Sequence, residues 1–277
     1  MNRQERFTGC LLGLASGDAV GTTVEFRSRG SFEPLTDMVG GGPFSLEAGQ
    51  WTDDTSMALC LADSLIQQEQ FDPHDQLRRY CDWRANGYRS STGTCFDIGN
   101  TTSSGLSRYE RTGDPYGSPD DAYAAGNGSI MRLAPVPMFF FGDVYAAAHH
   151  SGLSSRTTHG AVESVDSSRL FGTLLHRALA GCDKEEILFG GDIPVDLAPK
   201  VVAIADGDYR DKSRDEISGS GYVINSLEAA LWCFLQTDNF RDAILLAVNL
   251  GDDADTTGAV CGQIAGAYHA DGIPNSP

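Results

Sequence analysis

Two short stretches of this 277-residue chain hold residue types that could do metal chemistry. Gly251-Asp252-Asp253-Ala254-Asp255-Thr256-Thr257-Gly258 places three carboxylates and two hydroxyls within six residues, at the start of an apolar run toward His269. Packed together, such groups repel one another and need compensating positive charge. Gln50-Trp51-Thr52-Asp53-Asp54-Thr55-Ser56 offers the same ingredients, again just before an apolar helical run. A divalent cation is the simplest source of the missing charge, and two such clusters imply one metal centre built from both ends of the chain. Asp, Ser and Thr are also favoured helix caps, and acids favour the first turn. Capping accounts for one acid in each cluster and leaves its neighbours repelling one another.

Ligand sets of carboxylate and hydroxyl oxygen select hard cations, Mg²⁺ or Mn²⁺, and the lack of His or Cys beside either cluster argues against zinc. The candidate ligands are Thr52, Asp53, Asp54, Asp253, Asp255 and Thr256, with Glu25 a further carboxylate. The five carboxylates in this set suit two divalent ions and would overcharge one. Two such ions can clamp vicinal hydroxyls or phosphate oxygens and lower the pKa of a water, giving hydrolysis with a neighbouring Asp as base. Gly126-Asn127-Gly128-Ser129-Ile130-Met131-Arg132 is expected to open an apolar helix, a setting that suits a phosphate.

The elements that must hold these residues read as helices. From Arg3 to Ala19 apolar residues recur at helical spacing while Gly9, Gly13, Gly17 and Gly21 fall at every fourth position, and Gly258, Gly262 and Gly266 repeat the pattern near the C-terminus. Such a stripe bares one helical face to another backbone, so these two helices should be central and tightly packed. Further helices are expected over 56–67, from Asp72-Pro73, over 131–148, from a Thr158 cap through Leu179, and over 225–235 and 240–250. Residues 31–49 and 86–102 read as loops, and strand-like alternation is nowhere sustained. The expectation is one all-α domain over 1–277.

Composition narrows the partners. A formal net charge of -18 argues against a nucleic-acid backbone or an anionic membrane. Seven scattered cysteines, without a C-x-x-C pair, favour free thiols in a reducing compartment. No run approaches membrane-spanning length, and the basic and apolar regions at the N-terminus are too short for a signal peptide, so a cytoplasmic location is expected.

Taken in order, Gly13 to Gly21 with Glu25-Phe26, Thr52-Asp53-Asp54-Thr55, Asp97-Ile98-Gly99-Asn100-Thr101, Gly126 to Arg132, Thr158-His159, Gly219-Ser220-Gly221-Tyr222 and Gly251 to Gly258 resemble the ADP-ribosylglycohydrolase family over about residues 6–270. The resemblance is nearest to the arginine-directed branch typified by the dinitrogenase reductase-activating glycohydrolase. It implies a compact, orthogonal multi-helix bundle with two Mg²⁺ or Mn²⁺ ions. The implied reaction is release of ADP-ribose from a modified protein side chain, most readily arginine. By the same resemblance Thr52, Asp53, Asp54, Asp253, Asp255 and Thr256 are metal ligands, with Glu25 a mobile further one. The base lies among Asp53, Asp54 and Asp255, and Asp97 faces the guanidinium. Asn100, Gly128, Ser129 and His159 hold ribose and pyrophosphate, and Tyr222 stacks near the ligand. Hydrolysis of another ADP-ribosyl linkage, serine O-linked or on a small molecule, and a silent ADP-ribose reader or scaffold are the alternatives.

Overall fold

The computed structural model describes residues 1–118, 124–191, 193 and 196–270. Among these the chain forms twelve α-helices and two isolated β-bridges, with no sheet, in agreement with the all-α expectation.

The organising contact joins the two glycine-striped helices, α1 (Arg3–Gly21) and α12 (Ala254–Tyr268). Gly9 meets Gly266, Gly13 meets Gly262, and Gly17 meets Gly258, so the helices run antiparallel with their backbones in contact. A Cβ on Gly13 would lie 2.1 Å from the carbonyl oxygen of Gly262, and one on Gly262 would lie 2.0 Å from that of Gly13. No side chain fits there. Every residue of α12 from Ala254 to Ala267 is buried, as expected of a helix at the centre of a bundle. Around this pair lie α2 (Asp53–Gln68), α7 (Val162–Ala180), α10 (Val223–Gln236) and α11 (Phe240–Val248). They share a core in which Leu14, Met57, Leu61, Phe171, Leu227 and Ile264 are all buried. Because the helices are antiparallel, the C-terminal end of α1 stands beside the N-terminal end of α12.

Three helical expectations are corrected. The apolar stretch 131–148 is not one helix: α5 (Pro135–Phe139) stops, and α6 (Val144–Arg156) starts afresh. Gly142 takes φ 101° in the intervening turn, and the Asp143 side chain accepts from Ala146 N to begin the new helix. The Gly126–Arg132 loop does not open a helix: it runs through successive turns, and α5 begins only at Pro135. Thr158 is not a helix cap either, because α7 begins only after Ala161. Its hydroxyl is engaged instead by Arg132.

Side-chain caps occur where chemistry is absent. Asn2, Asp72, Asp143 and Asn239 each accept from the first turn of the helix that follows. Thr52 before α2 and Asp253 before α12 make no such bond. No described helix is long and apolar enough to cross a membrane.

Candidate metal centre and substrate cleft

The antiparallel α1–α12 contact brings the two acidic clusters together. Asp18, one residue past Gly17, is fully buried and accepts four hydrogen bonds from the second cluster. Thr52 N and Oγ1 each donate at 2.9 Å, Thr55 N at 3.0 Å and Thr55 Oγ1 at 2.6 Å. This ties the start of α2 to the end of α1. Across the same junction Thr52 Oγ1 stands 3.2 Å from Asp255 Oδ2 and 3.3 Å from Asp54 Oδ2. The chain leaving α1 is held in turn by Phe26 N donating to Asp252 O and Asp252 N donating to Arg27 O, both at 2.8 Å. Phe26 and Asp252 lie in the left-handed region, at φ 62° and 59°. That conformation costs a Phe roughly 1–3 kcal/mol, so the surrounding contacts must over-determine it. Between these fixed points Glu25 turns inward and is buried.

The carboxylates converge in two sets. Oxygens of Asp53, Asp54 and Asp255 all lie within 4.8 Å of one another, and so do oxygens of Glu25, Asp97 and Asp255. Asp255 belongs to both. Asp253 sits beside them with its Oδ2 accepting from Asn127 Nδ2 at 2.7 Å. Among the described residues none of these acids forms an ion pair with Lys or Arg. Burial raises every one of them, and the neighbouring carboxylates add to it for most. Asp53, Asp54 and Asp255 are pushed well above the ordinary carboxylate range. Glu25 goes to about 10 by burial and by Asp97, Asp253 and Asp54. Asp97 goes to about 7 by burial, opposed by hydrogen bonds with Asp255 and Glu25.

This donor set fits hard divalent cations. Among the described residues buried Asp54 Oδ1 and Asp255 Oδ1 have no hydrogen-bond partner, and a buried oxygen without one costs about 1–3 kcal/mol. Cations held by all-oxygen ligands would satisfy both atoms and offset the repulsion among the acids.

Above the acids lies a cleft of about 340 Å³. Glu25, Asp53, Asp97, Asp253, Asp255 and Thr256 line its acidic side, and Asn100, Gly128 and His159 line other walls. Thr52 and Asp54 lie beneath, fully buried. Two residues expected in the cleft are outside its lining. Ser129 is buried and accepts from Ser168 Oγ at 3.1 Å. The Tyr222 hydroxyl donates to Glu163 at 2.5 Å and accepts from Lys200 at 2.7 Å, tying α10 to α7 and α9 (Pro199–Ala205). Asp97 joins a potential metal set as well as facing the cleft, which its distance from both clusters in sequence conceals. Asp18, Asn127 and Arg132 lie within stretches singled out in the sequence, which gave none of the three a role of its own. For Asp18 a signal existed: an acid beside the glycine stripe of a buried helix must have partners.

The ADP-ribosylglycohydrolase family model matches residues 1–276. The chain is 49% identical to ADP-ribosylarginine hydrolase Tri1 of Pseudomonas putida over 271 residues, covering 98% of this chain and 72% of the relative. It is 45% identical to the protein of the same name from Serratia proteamaculans, covering 99% of this chain and 73% of that one. The ADP-ribosyl-[dinitrogen reductase] glycohydrolase of Rhodospirillum rubrum is more distant, at 32% identity over 98% of this chain and 88% of the relative. A solved ADP-ribosylglycohydrolase-related protein complex superimposes with a TM-score of 0.80 at 42% identity, covering 98% of this chain and 90% of its own. The chain belongs to the ADP-ribosylglycohydrolase family.

Proposed function

We propose that the protein is a metal-dependent hydrolase, a single catalytic domain that releases ADP-ribose from ADP-ribosylated arginine side chains of a protein substrate. The observation that carries this reading is the pair of carboxylate sets meeting at Asp255 under the cleft, in a chain 49% identical to an ADP-ribosylarginine hydrolase. Thr52, Asp53, Asp54, Asp253, Asp255 and Thr256, with Glu25, would hold two Mg²⁺ or Mn²⁺ ions. Bound there, the ions would neutralise the acids, grip sugar hydroxyls and lower the pKa of a water.

The chain's own residues supply the rest. Asn100 and the Gly126–Gly128 loop orient the ligand over the acids, which positions the anomeric carbon for attack. Asp53 and Asp255 both border the cleft, where a carboxylate can accept the proton of the attacking water. Asp97 lines the cleft and is suited to pair with a guanidinium, since a carboxylate can receive two parallel N–H donors from it. That preference selects arginine over serine, whose hydroxyl offers no such fork. The seven free cysteines suit a cytoplasmic setting.

Release of ADP-ribose from defined arginine-linked and serine-linked peptides tests the reading. Faster release from the arginine-linked peptide supports it, and an Asp97→Asn variant should narrow the difference. Equal rates on both linkages, or turnover of serine alone, would overturn the arginine assignment.

A further inference from the structure

Arg132 is fully buried, and among the described residues it forms no ion pair with a carboxylate. Its guanidinium stands 4.7 Å from the Tyr80 ring centroid. It donates to Gly128 O at 2.8 Å and to Thr158 Oγ1 at 2.7 Å. Thr158 Oγ1 in turn lies 2.8 Å from Nδ1 of His159.

The chemistry of these groups fixes the direction of the chain of bonds. Arginine can only donate, so the Thr158 oxygen accepts from it. Thr158 is itself fully buried, and the described structure offers its proton one acceptor, His159 Nδ1. The opposite arrangement, with Nδ1–H donating, strands a buried hydroxyl proton. His159 Nδ1 therefore carries the lone pair, and the ring proton sits on Nε2. That nitrogen faces two glycines: a Cβ on Gly126 would lie 3.2 Å from it and one on Gly128 3.1 Å. With no side chain at either position the ring stays open to the cleft that His159 lines.

We propose that Arg132, acting through Thr158, is a positioning residue that fixes His159 as a neutral Nε2–H donor aimed at an acceptor oxygen of the bound ligand. The ligand's identity rests on the proposed function, in which that oxygen belongs to a ribose hydroxyl or a phosphate of ADP-ribose. Burial and the Arg132 charge hold the His159 pKa down at about 3, in keeping with a ring that donates without being charged. The same guanidinium fixes the Gly128 carbonyl, so donor and loop are set by one group.

The test is a long-range ¹H–¹⁵N spectrum of the whole protein labelled in histidine nitrogen, with His159 assigned by loss of its signals in His159→Gln. The wild type should show Nε2 protonated and Nδ1 unprotonated, unchanged between about pH 5 and 8. Added ADP-ribose should move the Nε2 resonance. Thr158→Val keeps the shape and removes the hydroxyl. It should mix the two tautomers and weaken ADP-ribose binding by about tenfold, and Thr158→Ser should restore both. Nδ1–H or an imidazolium in the wild type, or a Thr158→Val protein with its tautomer and ADP-ribose affinity intact, overturns the proposal. A wild type with the Nε2–H tautomer that releases no ADP-ribose from any substrate would remove the proposed function and leave this arrangement standing.

Discussion

Thr52 Oγ1 lies 3.2 Å from an Asp255 carboxylate oxygen although 203 residues separate them. The contact exists because α1 and α12 approach without side chains between them, so that the acid clusters at their ends share one volume. Bundle packing and site geometry are therefore the same problem in this protein.

Gly13→Ala should show this dependence in stability. Its Cβ would lie 2.1 Å from the Gly262 carbonyl oxygen and 3.1 Å from Gly266 Cα, backbone atoms that move only if the helices separate. We expect a loss of about 3 kcal/mol or more in urea unfolding, at the upper end of overpacking effects. Gly99→Ala, where an added Cβ meets nothing within 4 Å, is the control and should change stability little. Equal effects of the two would contradict the packing account.

Asp18→Asn tests the tie between α1 and α2. The four donors from Thr52 and Thr55 would face a side chain with one acceptor oxygen and an NH₂ group that cannot accept. The expected cost is about 2 kcal/mol, together with weaker divalent-cation affinity measured by calorimetry. A variant that keeps wild-type affinity would show that Asp18 does not position Thr52.

The raised carboxyl groups set a pH dependence for the metal-free protein. Glu25 goes from 4.5 to about 10 and Asp97 from 3.8 to about 7, so the folded chain holds protons that the unfolded chain has released. Stability from these groups is complete below about pH 4 and is lost as pH rises toward 7 and beyond. The Tm of chelator-treated protein should thus fall between about pH 5 and 8. Added Mg²⁺ or Mn²⁺ should raise Tm more at the higher pH, where the carboxylates no longer need to shed a proton to bind it. A cation-induced shift independent of pH would contradict this.

Much of this architecture is legible in the chain itself. Fourfold glycine spacing announces two helices in backbone contact, and acids crowded beside hydroxyls announce a need for positive charge, because both signals lie within a few residues of sequence. Features that depend on distant partners are not legible. Asp97 reads as a loop acid until folding sets it within 4.8 Å of Glu25 and Asp255. Thr158 reads as a cap because caps are local, whereas its true partner Arg132 comes from 26 residues upstream. The break between α5 and α6 was hidden by an apolar run that continues across Phe140 and Phe141, although Gly142 and Asp143 carried the stop and start.

The most direct measurement is release of free ADP-ribose from an arginine-ADP-ribosylated protein by chelator-stripped enzyme, before and after adding Mg²⁺ or Mn²⁺, with Asp255→Asn alongside. The shared position of Asp255 in both carboxylate sets predicts release only with the cation, and a fall of more than about 100-fold in the variant. Release that persists without a divalent cation, or that survives in Asp255→Asn, would contradict the account.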